Sequence, residues 1–343
     1  GLLIALVGVS PIEAYKAFFY GVFGNRVNVG NVLSVATPLI LCGLGIAFAA
    51  QCSVFNIGAE GQLYFGATFA VAAGLMFKSW PSWSLLPTVL FASFVGGGLW
   101  GLIPGYLKAK YSVNEIVLTV MLSQIAAQLV SWLTRAPMLE PESHGIPQTA
   151  QLPEAARLSL LMPGTRLHSG LLIALAAAVV IYLVLKRTTF GFRIRAVGFN
   201  GQAARYAGMN MVSSISLAML ISGGLAGLAG GIEVAGVQYR LMDGISPSYG
   251  FTAIAVSLLA NSHPIGVVVS ALLFSALQAG ADAMQRRVAV PVTLAMVIQA
   301  LAVLFLIVSQ YLSQHRWPQA LQTLADRLPA RKVSGTRAKV GPA

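Results

Sequence analysis

The sequence predicts an all-α, polytopic transmembrane bundle of about ten spans, some of them short or interrupted, and three observations carry that expectation. Hydrophobic residues make up 57% of the 343 and charged residues 9%, where a soluble domain carries about 25% charged side chains. The mean hydropathy is +0.76. Apolar runs near twenty residues recur along the chain, the length that crosses a hydrocarbon core of about 30 Å.

The first run, GLLIALVGV at 1–9, is too short for a span and lacks a basic flank; it reads as part of a truncated first helix rather than a signal peptide. Runs at 31–50, 58–77, 84–107, 114–134, 168–186 and 213–236 follow. The stretch 250–262 is too short to cross as a straight helix, and 264–282 and 290–311 complete the set. Cys42 and Cys52 show no metal or redox spacing and read as packing residues. Gly97, Gly101 and Gly105 repeat every four residues, as do Gly223, Gly227 and Gly231. Each set lays a small-residue stripe on one helix face, which permits close backbone approach; the other reading is glycines as hinges. A glycine-rich span, a polar interruption and a second span occur at 36–77 and again at 215–262. Opposite directions for the two copies would make them an inverted repeat of the kind found in transport folds.

Lys and Arg set the orientation. Segments 108–113, 186–212 and 313–343 hold 13 of the 22 basic residues and a single acid, Asp326. Assigning them to the cytoplasm puts both termini there. The chain then divides into a transmembrane domain at 1–312, with a cytoplasmic segment at 187–212, and a basic tail at 313–343 expected to be disordered. The formal charge of +12 is thus a matter of topology and of contact with an anionic bilayer, not of nucleic-acid binding.

Acidic residues inside spans need a reason, because a charge at the bilayer centre costs roughly 2.5–3.5 kcal/mol on insertion scales. In FNIGAEGQLYFGA (55–67), Asn56, Glu60 and Gln62 sit between apolar stretches. Glu60 either lines a wet path and accepts hydrogen bonds from a hydroxylated solute, or ties free backbone N–H groups of an interrupted helix. Asn114 and Glu115 open a helix after Lys108 and Lys110, where an N-cap followed by an acid is ordinary; Gln124 is a polar residue further along the same span. These six are the candidate path residues. Glu233 follows a glycine-rich helix and falls near its end. The sequence has no GxxxxGK[ST], HExxH or GxSxG, and its four histidines are scattered, so no enzyme active site, metal site or cofactor is expected.

Between two spans, GFRIRAVGFNGQAARYAGMN (191–210) is hydrophilic and basic. NGQAARYAG reads as a short helix after Phe199: Asn200 is the N-cap, Ala203, Ala204, Arg205 and Tyr206 form the body, and Gly208 takes the left-handed closing position. Such a helix either docks in a groove on a partner or lies on the lipid surface.

Three stretches, FNIGAEGQL (55–63), NEIVLTVML (114–122) and RAVGFNGQAARYAGMN (195–210), together with SPSYGFTAIAVSLLANSHPIGV (246–267), resemble the permease subunits of bacterial ABC importers of the nucleoside/simple-sugar class, in the wider group that includes branched-chain amino acid and ribose permeases. Departures from the family pattern are Gly201 in place of proline, Ser123 and Gln124 in place of an Asn-Tyr pair, and Asn261 in place of glycine or a basic residue. The resemblance implies a multi-pass protein of the bacterial cytoplasmic (inner) membrane that forms a translocation path for nucleosides or related sugars. It implies that 191–210 is the coupling segment for a cytosolic ABC ATPase subunit, which hydrolyses the ATP. It further implies a second permease subunit, expected to be a related chain, and an extracytoplasmic substrate-binding lipoprotein. The scarcity of charge within the spans suits a neutral polar cargo. The alternatives are a branched-chain amino acid permease and, from another class, an ion-coupled secondary transporter using Glu60 and Glu115 as proton carriers.

Overall fold

A computed structural model describes residues 10–141, 145–290 and scattered positions from 293 to 309. The chain divides into two units, Gly1–Gln299 and Ala300–Ala343, and the first holds every element discussed below. The short run at 1–9 and the tail at 313–343 lie outside the described residues, as does most of 290–311.

Among the described residues the first helix is α1 (Pro11–Phe23), which starts on a proline and carries Glu13 in its first turn. Sequence reading missed this helix because PIEAYKAFFYGVF is neither long nor uniformly apolar. It buries Ala14 and Ala17 against Met284 and Val290 and leaves Ile12, Phe19 and Phe23 exposed. Asn25 caps the next helix, accepting from the Asn28 N–H at 2.7 Å.

Two helices, α2 (Arg26–Ala50) and α3 (Ala59–Met76), are separated by a turn and an extended stretch ending at Gly58. α2 is almost wholly enclosed by other helices. Next come α4 (Ser82–Tyr111) and α5 (Glu115–Arg135), joined by a tight link in which Ser112 takes φ 54°. A long irregular segment with one short 3₁₀ turn, Glu154–Ala156, then leads to α6 (Gly170–Arg187).

The short pair α7 (Thr189–Phe199) and α8 (Gly201–Tyr206) precedes α9 (Met211–Glu233), which runs on into a π-helical turn at Val234–Gln238. The set closes with α10 (Tyr249–Leu259) and α11 (Pro264–Val288). Among the described residues no strands form; two isolated bridges, Gln148 with Met242 and Leu160 with His168, tie down the irregular segment. That segment also hydrogen-bonds the α9 extension, Leu158 N–H to the Ala235 carbonyl at 2.9 Å and Leu152 N–H to that of Tyr239 at 2.8 Å.

Six of these helices are long and apolar enough to cross a bilayer: α2, α4, α5, α6, α9 with its π turn, and α11. α3 has 18 residues and α10 only 11. Large apolar side chains such as Phe91, Leu172, Val179 and Val269 point outward from α4, α6 and α11. This is the surface a hydrocarbon solvent requires.

The packing at the centre is glycine-mediated. A Cβ on Gly97 would run into the backbone of α9 at Gly223 and Gly227, one on Gly101 into that of Met219 and Gly223, and one on Gly66 into Gly227 from α3. Gly105 lies instead against Met219, and Gly231 against Ser93 and Ala70. The two stripes therefore face each other across the α4–α9 contact, with α3 wedged alongside. In lipid there is no hydrophobic drive between helices, so this close dispersion contact replaces it.

Candidate functional site

The polar residues of the 55–67 stretch are buried and fully engaged. Asn56 sits in the extended segment before α3, where its Nδ2 donates to Gln62 Oε1 and to Ser222 Oγ, each at 2.8 Å. Gln62 Nε2 returns a bond to Asn56 Oδ1 at 3.1 Å, and the Gly58 N–H donates to the same oxygen at 3.0 Å. The side chains of Asn56 and Gln62 thus satisfy one another and hold the interrupted backbone onto the middle of α9. An unpaired amide there would cost about 1–3 kcal/mol.

Glu60 stands in the first turn of α3, 5% exposed. Its carboxylate accepts from the Gly250 N–H at 2.7 Å and lies near the Ser246 hydroxyl and the Phe251 N–H. Gly250 opens α10, and any Cβ there would collide with the backbone of Ala59 and Glu60. The N-termini of α3 and α10 therefore converge on one carboxylate. Both helix dipoles direct positive charge toward it, which is how an acidic side chain is held between the starts of two short helices.

Asn114 and Glu115 lie at the α4–α5 link. Asn114 Oδ1 accepts from the N–H groups of Ile116 and Val117 at 3.0 and 3.3 Å. Glu115 pairs with Lys108 at 2.8 Å. Both residues lock the helix start.

Gln124 is placed differently. With Gln128 it lines a shallow groove on the outer face of α5, beside Ile125, Leu129 and Trp132. Val117, Met121, Ile125 and Trp132 are exposed on this helix. Two glutamines set in an apolar face do not suit hydrocarbon, where an unsatisfied amide is costly. The face suits water or another protein.

The structure brings Asn56, Glu60 and Gln62 together and leaves Asn114 and Glu115 at the link and Gln124 on the surface. Sequence reading missed Ser222, Ser246 and Gly250 as their partners. Ser222 was visible as a hydroxyl just before a glycine stripe, and Gly250 lies in SPSYGFTAI; nothing local pairs either with residues 56–62. Glu233 is buried in the last turn of α9. Among the described residues no cluster of His, Cys, Asp and Glu is arranged to hold a metal.

The 187–212 segment forms an arm at one end of the bundle. Thr188 caps α7 through the Gly191 N–H at 3.0 Å. Asn200 caps α8 through the Ala203 N–H at 3.0 Å, and Gly208 takes φ +79° after the helix. Ala204 is buried beneath α8, while Phe199 and Tyr206 are 94% and 93% exposed. The arm is fixed to the α2 terminus: Ser53 Oγ donates to the Gly198 carbonyl at 2.7 Å, and Gly198 lies against the Gln51 backbone too closely for any side chain. Two nearly bare aromatic rings, Phe199 at the end of α7 and Tyr206 at the end of α8, thus stand beside exposed Arg205.

Sequence comparison agrees with this architecture. The chain is 39% identical to the guanosine ABC transporter permease protein NupP of Bacillus subtilis over 89% of its own length and 88% of the relative's. It is 36% identical to the glucose ABC transporter permease protein TsgB13 of Haloferax volcanii, over 98% and 90%, and 32% identical to the nucleoside ABC transporter permease protein NupB of Lactococcus lactis, over 97% and 93%. Bacillus subtilis has a second guanosine permease, NupQ, 28% identical over 72% of this chain. The sequence profile described as "Branched-chain amino acid transport system / permease component" matches residues 28–308. With its helical membrane bundle, the chain belongs to this family of permease components.

Proposed function

We propose that this chain is the membrane-spanning permease subunit of an ABC importer for nucleosides or related sugars, working with a separate ATPase. The observation that carries the reading is the α7–α8 arm, a rigid, aromatic-tipped helix at the bundle's end in a chain of the permease family. The arm is read as the coupling element: ATP binding by a cytosolic subunit moves α8, and Gly198 and Ser53 pass the movement to α2. With the arm cytoplasmic, the basic bias of 108–113, 186–212 and 313–343 puts both termini in the cytoplasm of a bacterial inner membrane. Residues 1–312 then form the permease domain, and 313–343 a basic tail.

The cargo class follows the relatives, which are named for guanosine, nucleosides and glucose; branched-chain amino acids enter only through the family's description. The path is read along the glutamine-bearing face of α5, with Gln124 beside it and the Glu60–Gly250 junction as the support behind it. The existence of two guanosine permeases in one organism favours a related chain as the second permease subunit on that face. An extracytoplasmic binding lipoprotein delivers the solute. The two short elements α3 and α10, meeting end to end, are read as the interrupted members of a ten-span inverted repeat.

The test is uptake into membrane vesicles expressing this chain with its genomic ATPase, second permease and binding protein. ATP-dependent accumulation of labelled guanosine, unaffected by excess leucine, is the expected result. Competition by leucine but not by nucleosides or glucose would overturn the cargo assignment.

A further inference from the structure

Beside the arm lies a cavity of about 90 Å³, lined by the ends of α2 and α6, by Arg195 of α7 and by the turn between α10 and α11. Its wall carries Gln51, Tyr182, Lys186, Arg195, Ser262 and His263, and no carboxylate. A water-sized void needs only about 10–15 Å³, so this one accommodates a group of several heavy atoms.

Three features give it a positive character. Arg195 contributes a guanidinium whose Nε is buried without an acceptor among the described residues. Lys186 adds a second cation, partly offset by the carbonyl end of α6, in whose last turn it sits. α11 begins on the same wall with Pro264 at its first position and no side-chain cap from His263, which leaves first-turn N–H groups and the positive end of a 25-residue helix uncovered. The wall is held in shape: Gln51 Nε2 donates to the Ser262 carbonyl at 3.2 Å, and the Tyr182 and His263 rings lie 5.9 Å apart. Arg195 is half-buried, and a buried N–H such as its Nε, lacking an acceptor, is costly unless an anion completes it.

We propose that this cavity is a binding site for a phosphate group, supplied by the headgroup of an anionic phospholipid or by free phosphate. Basic pockets between membrane helices hold lipid headgroups by this chemistry. The site's membrane side rests on the orientation proposed above, while its anion chemistry does not. An occupant there braces α6 and the α10–α11 turn against α7, at the root of the arm.

Native mass spectrometry of the full-length chain, titrated with phosphatidylglycerol, phosphatidylcholine or inorganic phosphate, tests this. Phosphatidylglycerol should be retained at about tenfold lower concentration than phosphatidylcholine, and Arg195→Gln with Lys186→Gln should remove that preference, since hydrogen bonds to charged groups carry roughly this much. Arg195→Lys should keep most of it, and Lys78→Gln, remote from the cavity, all of it. Phosphate binding without lipid preference would assign the site to free phosphate. Equal retention of both lipids with no phosphate binding, or a folded double variant that binds like the parent, would overturn the proposal. The readout needs no transport, so failure of the importer reading leaves it intact.

Discussion

Glu60 and Gly250, 190 residues apart, share a 2.7 Å hydrogen bond that joins the starts of two short helices. If this bond is the reason for an acidic residue in an apolar stretch, Glu60→Ala strands the Gly250 N–H and destabilises the fold by about 1–3 kcal/mol. Glu60→Gln keeps one acceptor oxygen and retains most of the stability. Thermal unfolding in detergent distinguishes them; equal unfolding temperatures for Glu60→Ala and the parent would count against the bond.

Gly227 is enclosed by the Ser93 carbonyl and the Gly97 backbone. Gly227→Ala must push α4 from α9, at about 1–3 kcal/mol for overpacking. The expected result is a lower unfolding temperature and weaker crosslinking between cysteines introduced on the two helices. An unchanged unfolding temperature would show that the contact yields freely.

These two relationships also show how much was legible in the sequence. Apolar length alone located α2, α4, α5, α6 and α9 to within a few residues, because each must be long enough to cross lipid. The stripes on α4 and α9 were legible because every fourth residue shares a face. The partner of each stripe was not, nor was the bond from Glu60 to Gly250, since no local rule links positions brought together only by the fold. α1 escaped notice because its buried face, Ala14, Ala17, Gly21 and Val22, packs on α11 mainly through small residues, which leave no strongly apolar stripe in the sequence. Glu60 as a tie for free backbone N–H groups was one of two readings open from sequence; its partners came only from the coordinates.

Cys52, in the turn after α2, is 3% exposed, and burial pushes its thiol from 9.0 up to about 11. A raised thiol pKa favours the protonated form, so the thiolate is about a hundredfold scarcer in the fold than in the open chain near neutral pH. Maleimide labelling at pH 7.5 should leave Cys52 unmodified in the folded protein and modify it readily in denaturant. The stabilising contribution is present below pH 9 and is lost as pH rises through 11. Rapid labelling of the folded chain would contradict the enclosed turn.

Phe199 and Tyr206 project from the arm almost fully exposed among the described residues. Alanine at either should weaken ATPase binding by about 2 kcal/mol, or roughly thirtyfold, as for aromatic anchors at interfaces. Membrane insertion and unfolding temperature should stay as in the parent, because neither ring is packed. Co-purification of the ATPase with the doubly substituted chain at parental yield would remove the arm from the coupling role.

The most direct test reconstitutes the purified chain in liposomes, first alone and then with its ATPase, second permease and binding protein. The expected result is no concentrative uptake from the lone chain, with or without a proton gradient, and ATP-driven accumulation from the complete set. Accumulation by the lone chain driven by a proton gradient would contradict it.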